Sequence, residues 1–217
     1  MRKSLTVATV TATLTALGLA AAPFAYAQAP PAATEAAADQ LVLKLIPAKG
    51  GAKLKVSSPA FKDGADIPFE NTQYRGNVFP GLQWSKGPRG TKSYVVIMQD
   101  ADAVVKGDAI LHWTLYDVPA GITKLDAGTT VPPAGAINGP NIRGPNHDYM
   151  GPRTPAGPKH RYHLQVFALD AVIPSDPQLG YDALKAAMSG HVLASGQTVG
   201  LGQVDPTAPP PAPRPAN

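Results

Sequence analysis

The sequence predicts a mainly β fold, an antiparallel β-sandwich with a few short peripheral helices. Three observations predict it. The 24 prolines and 21 glycines in 217 residues punctuate the chain far more often than average. Between them recur short apolar or alternating runs of strand length. Only one segment carries helical spacing. Because there is no cysteine, the domain must be held by its core rather than by disulfides.

Taken in order, residues 41–46 (LVLKLI) and 53–56 (KLKV) read as short strands, the second strictly alternating. Residues 93–98 (SYVVIM) are continuously apolar, as in a buried central strand. Residues 110–118 form a strand ended by Pro119, with His112 expected on the face of Ile110 and Thr114, opposite Trp113. Residues 161–169 alternate, placing Tyr162, Leu164, Val166 and Ala168 on one face. Leu184, Ala187, Met188 and Val192 fall at helical spacing, with Asp182 to cap the start and Gly196 beyond the end. Between 127 and 160 lie 34 residues with seven prolines, six glycines and no periodicity. A segment so long inside one domain reads as a functional loop, and its prolines reduce the entropy lost on ordering.

The ends read differently. Residues 1–27 have the form of an export signal: Arg2 and Lys3, an apolar stretch, then Ala25-Tyr26-Ala27 as a small-x-small cleavage site. Cleavage would lower the formal net charge from +4 to +2, too little for a nucleic-acid partner. It would also leave no stable membrane insertion, so the expected location is periplasmic or secreted. Residues 28–40 read as an Ala/Pro linker, 41–205 as one domain, and 206–217 as a Pro-rich disordered tail.

Chemistry concentrates in four clusters: Asp100-Ala101-Asp102, His112-Trp113, 149–155, and His160-Arg161-Tyr162. The stretch 150–171 runs from a Gly/Pro turn carrying Arg153 and Lys159 into the last of these and onward into a strand. Strand parity puts Asp100 and Asp102 on one face, and His160 and Tyr162 on one face. A carboxylate beside a buried imidazole raises its pKa and sets its tautomer. Backbone N–H groups in a turn such as 151–157 can form an anion nest. Between 141 and 163, Arg143, Arg153, Lys159 and Arg161 face a single acid, Asp148. The combination suits a small phosphoryl or carboxylate ligand. No cofactor is expected. No metal site is expected either, since the His-Glu-x-x-His spacing is absent and His160 and His163 lie on opposite strand faces. Hydrolytic catalysis lacks a Gly-x-Ser-x-Gly elbow or any cysteine, so the protein is expected not to be an enzyme.

These clusters, in order, resemble the phosphatidylethanolamine-binding protein family, in its bacterial Raf-kinase-inhibitor-like branch. The resemblance rests on Ser58-Pro59-Ala60-Phe61, Pro80-Gly81-Leu82-Gln83-Trp84, Asp100-Ala101-Asp102-Ala103, His112-Trp113, residues 149–155 (YMGPRTP), His160-Arg161-Tyr162 and Gly190-His191. It implies a β-sandwich with a small anion pocket lined by Asp100, Asp102, His112, Gly151, His160 and Tyr162, with Pro152 beside Gly151. It also implies binding or regulatory roles, including kinase or protease inhibition. A contact surface at 139–159 for a periplasmic partner enzyme is therefore the alternative function, and weak Asp/His hydrolysis the third. Ala101 and Val104 stand where the family has prolines, and Arg153-Thr154 where it has a small residue and proline.

Overall fold

The computed structural model describes residues 37–105 and 107–208. In chain order the strands are β1 (Val56–Ser57), β2 (Leu82–Trp84), β3 (Ser93–Val105), β4 (Asp108–Pro119), β5 (Lys124–Leu125), β6 (Ile137–Asn138), β7 (His160–Leu169) and β8 (Val192–Gly202). Among the described residues, α-helices α1 (Val42–Leu45) and α2 (Tyr181–Met188) accompany them. One sheet has the order β6-β4-β3-β7-β8, the other β1-β2-β5, and every pairing is antiparallel. The expected mainly β sandwich is the observed architecture.

Strand β3 lies at the centre of the larger sheet, which explains its unbroken apolar run. Tyr94, Val96 and Met98 face inward and join Leu82, Trp84 and Leu125 of the smaller sheet in the inter-sheet core. Val95 and Ile97 face outward and pack with Phe167, Leu169, Leu184 and Met188 under the helices. Burial of each such side chain contributes roughly 1.5–3 kcal/mol.

Several expectations are corrected. Residues 41–46 are not a strand, because α1 occupies 42–45. Their apolar side chains suit either conformation, and the choice is made by two buried glutamines. Gln99 of β3 accepts the Val42 N–H at 3.0 Å, and Gln165 of β7 accepts the Leu43 N–H at 2.8 Å. The two amides also bond each other at 2.9 Å. They cap a helical turn whose Leu41, Val42 and Ile46 are buried. Gln99→Leu should orphan the Val42 N–H and cost about 1–3 kcal/mol. Urea denaturation would measure it, and unchanged stability would remove the glutamines from this role.

The expected helix is real but shorter. It ends at Met188, with Gly190 just beyond at φ 75°. Its N-cap is Gly180 without a side-chain bond, and Asp182 instead pairs with Lys185 at 2.9 Å. Val192 and Gly196 belong to β8, a strand the sequence reading missed. The strand expected at 53–56 is reduced to β1 and a single bridge from Lys53 to Ser195.

Face parity fails at His112. Met98 pairs with Trp113 but Gln99 with Leu111, so His112 is the extra residue of a β-bulge. The bulge brings His112 to the same inter-sheet side as Trp113: His112 packs on Tyr162, and Trp113 on Phe79.

The long Gly/Pro segment is laid along β4. The N–H groups of Gly139 and Ile142 donate to the Thr114 and Leu111 carbonyls, each at 2.9 Å. Its residues 149–152 and Thr154 are buried.

The export-signal segment, residues 1–27, lies outside the described residues. Of the linker, residues 37–40 are described. Ala37 is fully buried, and the Gln40 carbonyl accepts from Gln99 at 3.2 Å. Beyond the domain, the Thr207 hydroxyl accepts from Arg75 at 3.1 Å. Among the described residues, no helix is long and apolar enough to cross a membrane.

Candidate functional site

Three neighbouring strands bring the Asp/His cluster together. Asp100 of β3 pairs across the sheet with Tyr162 of β7, and His160 begins β7 two residues earlier. The bulge of β4 adds His112. All four are buried, with exposures of 3% for Asp100, 5% for each histidine and 1% for Tyr162. Four polar side chains sealed at one end of a sandwich are costly unless partnered, and each is.

Asp100 Oδ2 lies 2.8 Å from His160 Nδ1, and Asp100 Oδ1 accepts the Asp102 N–H at 2.8 Å. Burial acts against the His160 cation. The Asp100 hydrogen bond, with the charges of Asp100 and Asp102, outweighs it and raises the pKa. His112 Nδ1 meets the Met150 carbonyl at 2.9 Å. For His112, burial wins and lowers the pKa, although the Asp100 charge and the backbone at Met150 and Gly151 pull the other way. The two imidazoles therefore differ: His160 favours the cation and His112 the neutral ring. Both lie against Tyr162, with ring centroids 6.5 Å and 5.1 Å away. Burial and the Asp100 charge push the Tyr162 phenol well up, so it remains a neutral hydroxyl. That hydroxyl and Thr154 Oγ1 are hydrogen-bonded at 3.0 Å.

Among the described residues, no hydrogen bond joins Asp102 to either imidazole. The pairing of β3 is irregular beyond Asp100, and Arg161 grips the Asp102 carboxylate. The Arg161 Nε donates to Oδ2 at 2.9 Å, its Nη2 to Oδ1 at 2.6 Å, and its N–H to Oδ2 at 2.6 Å. Desolvation raises the Asp102 pKa, but these bonds overcome it and hold the carboxyl below its usual range. Asp102 acts on His160 through its charge, not through contact.

Gly151 and Pro152 form the wall opposite the strands. A Cβ on Gly151 would lie 2.4 Å from the Asn71 carbonyl, so only glycine fits. Its N–H, expected for an anion nest, is instead donated to Asn77 Oδ1 at 2.7 Å. Its carbonyl accepts from Gln73 Nε2 at 2.6 Å, and the Pro152 carbonyl from the Gln73 N–H at 2.9 Å. Tyr74 donates to the Thr154 carbonyl, and the Arg153 guanidinium stacks 5.1 Å above the Tyr74 ring.

The sequence reading missed Gln73, Tyr74, Asn77 and Thr154. Nothing in Gln73-Tyr74-Arg75-Gly76-Asn77 marks chemistry beyond a turn, and its role emerges only when loop 71–77 clasps 149–154. The one available signal was Asn77 after glycine, which suits its positive φ of 49°. His163 is buried on the outer face, its Nδ1 2.9 Å from Gln197 Oε1. Among the described residues, no three His, Asp or Glu side chains are grouped to hold a metal ion. An apolar cavity of about 300 Å³ lies behind the wall, lined by Val78, Phe79, Trp113, Leu125 and residues 128–133. It shares Asn77 and Tyr149 with the wall but none of the Asp/His cluster.

Comparison with known proteins matches this architecture. The sequence profile of the phosphatidylethanolamine-binding protein family covers residues 57–203. The chain is 33% identical to a UPF0098 protein of Methanothermobacter thermautotrophicus over 152 residues, 68% of this chain and 97% of the relative. It is 34% identical to a candidate lipoprotein of Mycobacterium tuberculosis, LppC, over 70% of this chain and 72% of that one. Among solved structures, Escherichia coli YbcL, described as a member of the mammalian family, superposes with a TM-score of 0.64 at 27% identity. That match covers 71% of this chain and all of YbcL. The homologue CT736 of Chlamydia trachomatis gives a TM-score of 0.63 at 29% identity, covering 70% of this chain and 99% of its own. Sandwich, motif order and relatives agree, and the chain belongs to the phosphatidylethanolamine-binding protein family.

Proposed function

We propose that the protein is an exported binder of a small phosphoryl or carboxylate anion, held without turnover at the cluster of Asp100, His160, His112 and Tyr162. One observation carries this reading. The buried Asp100–His160 pair at 2.8 Å favours an imidazolium, and its Nε2 has no protein hydrogen bond among the described residues. Unlike His163 Nε2, that atom is not sealed from solvent, and an accessible cationic N–H favours an anionic ligand. Among the described residues, no serine hydroxyl is hydrogen-bonded to either imidazole, which supports binding rather than nucleophilic catalysis. The export-signal pattern of residues 1–27 and the lipoprotein name of the mycobacterial relative support a location outside the cytoplasm.

Calorimetric titration with phosphate, phosphoethanolamine and acetate tests the reading. The wild type should bind phosphoryl ligands saturably. His160→Gln, which keeps polarity but loses charge, should weaken binding about 10- to 100-fold. The His160 pKa is raised, so its cation is complete below the ordinary value of about 6.5 and disappears as pH rises through the higher folded value. Affinity should fall over that window, and the His160 component of the fall should vanish in His160→Gln. A folded wild type that binds none of the three ligands, or a variant that binds as well as the wild type, would sink the proposal.

A further inference from the structure

The apolar cavity behind the wall holds none of the Asp/His cluster, and its lining indicates what would fill it. Phe79, Trp113 and Tyr149 all line it, packed tilted or edge-on with ring centroids 5.1 to 6.0 Å apart. Pro132 and Pro133 add prolyl surface from the loop after β5. Val131 and Val78, also in the lining, are 74% and 38% exposed. Aromatic and aliphatic surface gathered in one concavity marks an interaction site. Among the described residues, Asp148 is the one charged side chain in the lining. Its Oδ1 accepts from Asn138 Nδ2 at 2.6 Å, and Asn138 Oδ1 accepts the Trp113 indole N–H at 3.2 Å. Asp148 is exposed and is in no ion pair among the described residues. An aromatic concavity with one carboxylate at its edge suits a proline-rich segment that carries one cation. Prolyl rings pack on aromatic surface, and a pre-set polyproline II backbone loses little entropy on docking.

The chain carries such a segment, and it begins beside the cavity. Residues 206–217, PTAPPPAPRPAN, hold six prolines, no acid and one cation, Arg214. From residue 209 onward they lie outside the described residues. The start is fixed by Arg75, whose Nε donates to Asp205 Oδ2 at 2.7 Å and whose Nη2 donates to Thr207 Oγ1 at 3.1 Å. Arg75 directly precedes Gly76 and Asn77, which line the cavity. Thr207 to Arg214 is seven residue steps, about 22 Å as polyproline II. That length can run from the Arg75 anchor along a cavity of about 300 Å³ to Asp148. A tether so short supplies an effective concentration of about millimolar, so even a weak contact is occupied. We infer that the chain's own Pro-rich segment, residues 209–215, docks in this cavity, with prolyl rings against Phe79, Trp113 and Tyr149 and Arg214 paired with Asp148. The inference does not depend on the anion-binding reading, since cavity and cluster share no residue.

The test is ¹⁵N NMR of the full chain beside a chain ending at Ala208, read at the two indole N–H groups. Trp113 reports on the cavity through its bond to Asn138, and Trp84, outside the lining, is the internal control. The Trp113 signal should move on shortening and the Trp84 signal should not. A synthetic peptide of residues 206–217, added to the shortened chain at about millimolar concentration, should return Trp113 to its full-chain position. Arg214→Ala in that peptide should weaken it about two- to fivefold, the worth of an exposed ion pair. Pro210→Ala, Pro211→Ala and Pro213→Ala together should abolish the response. Identical Trp113 signals in the two chains, with no response to the peptide, would overturn the inference. So would a response that survives loss of the three prolines. A full-chain Trp113 signal that moves with protein concentration would place the segment on a second copy and overturn docking within one chain. If the shortened chain does not fold, Arg214→Ala in the full chain decides: a moved Trp113 signal supports docking, and an unmoved one overturns it.

Discussion

Asp100→Ala is expected to abolish tight anion binding and to lower stability measurably. The substitution removes the acceptor of His160 Nδ1 and, with it, the acceptor of the Asp102 N–H. Breaking a buried ion pair from one side costs about 3–5 kcal/mol when the remaining charge stays. Here the charge need not stay, because an imidazolium without its carboxylate can shed its proton. The cost should therefore drop towards the about 1–3 kcal/mol of an unpaired buried donor. Affinity is not rescued in this way, since the neutral ring no longer supplies the cation. Urea denaturation with parallel calorimetry checks both parts. His160 should also titrate below its wild-type value by imidazole NMR. A variant with unchanged stability and unchanged affinity would show that the pair supports neither.

Gly151→Ala should be comparably damaging for a different reason. The added Cβ would lie 2.4 Å from the Asn71 carbonyl, 2.9 Å from Asn77 Oδ1 and 3.2 Å from Thr72 Cα. Two of these three are backbone atoms, which cannot rotate away, so loop 71–77 and segment 149–152 must separate. Overpacking of this kind costs about 1–3 kcal/mol. Separation would also draw the Met150 carbonyl from His112, so anion affinity should fall with stability. Gly121→Ala is the control, because nothing lies within 4 Å of its added Cβ and its φ is not positive. It should shift stability by no more than about 0.5 kcal/mol. Thermal melts of both variants decide the matter. Equal melting temperatures for Gly151→Ala and wild type would mean that the wall is compliant.

Strands β3, β4 and β7 were legible because they lie in the middle of the larger sheet, where burial on both faces demands apolar residues. Strand β8 was not legible, for a packing reason. Three of its inward positions are Gly196, Gly200 and Gly202, where a side chain would collide with Leu54, Ile67 or Tyr162. Large residues on neighbouring elements fill the core above it, so the strand carries no apolar alternation of its own. Its Gly-x-Gly endings were the available clue. The site divides similarly. His160, Tyr162 and Asp100 follow from strand alternation and from charge beside imidazole. The inward turn of His112 depends on a bulge, and parity arguments assume a regular ladder. The grip on the Asp102 carboxylate depends on Arg161, a neighbour across the sheet.

The two chain ends leave the domain in different places, with a practical consequence for attachment. Residues 37–46 are held on the outer face of the larger sheet by Gln99 and Gln165, across that sheet from the inward-facing cluster. Residues 205–207 are held by Arg75, within the loop that clasps Gly151 and Pro152. Immobilisation upstream of Ala37 would therefore present the anion site outward to solution, whereas a bulky fusion after Thr207 would crowd its wall.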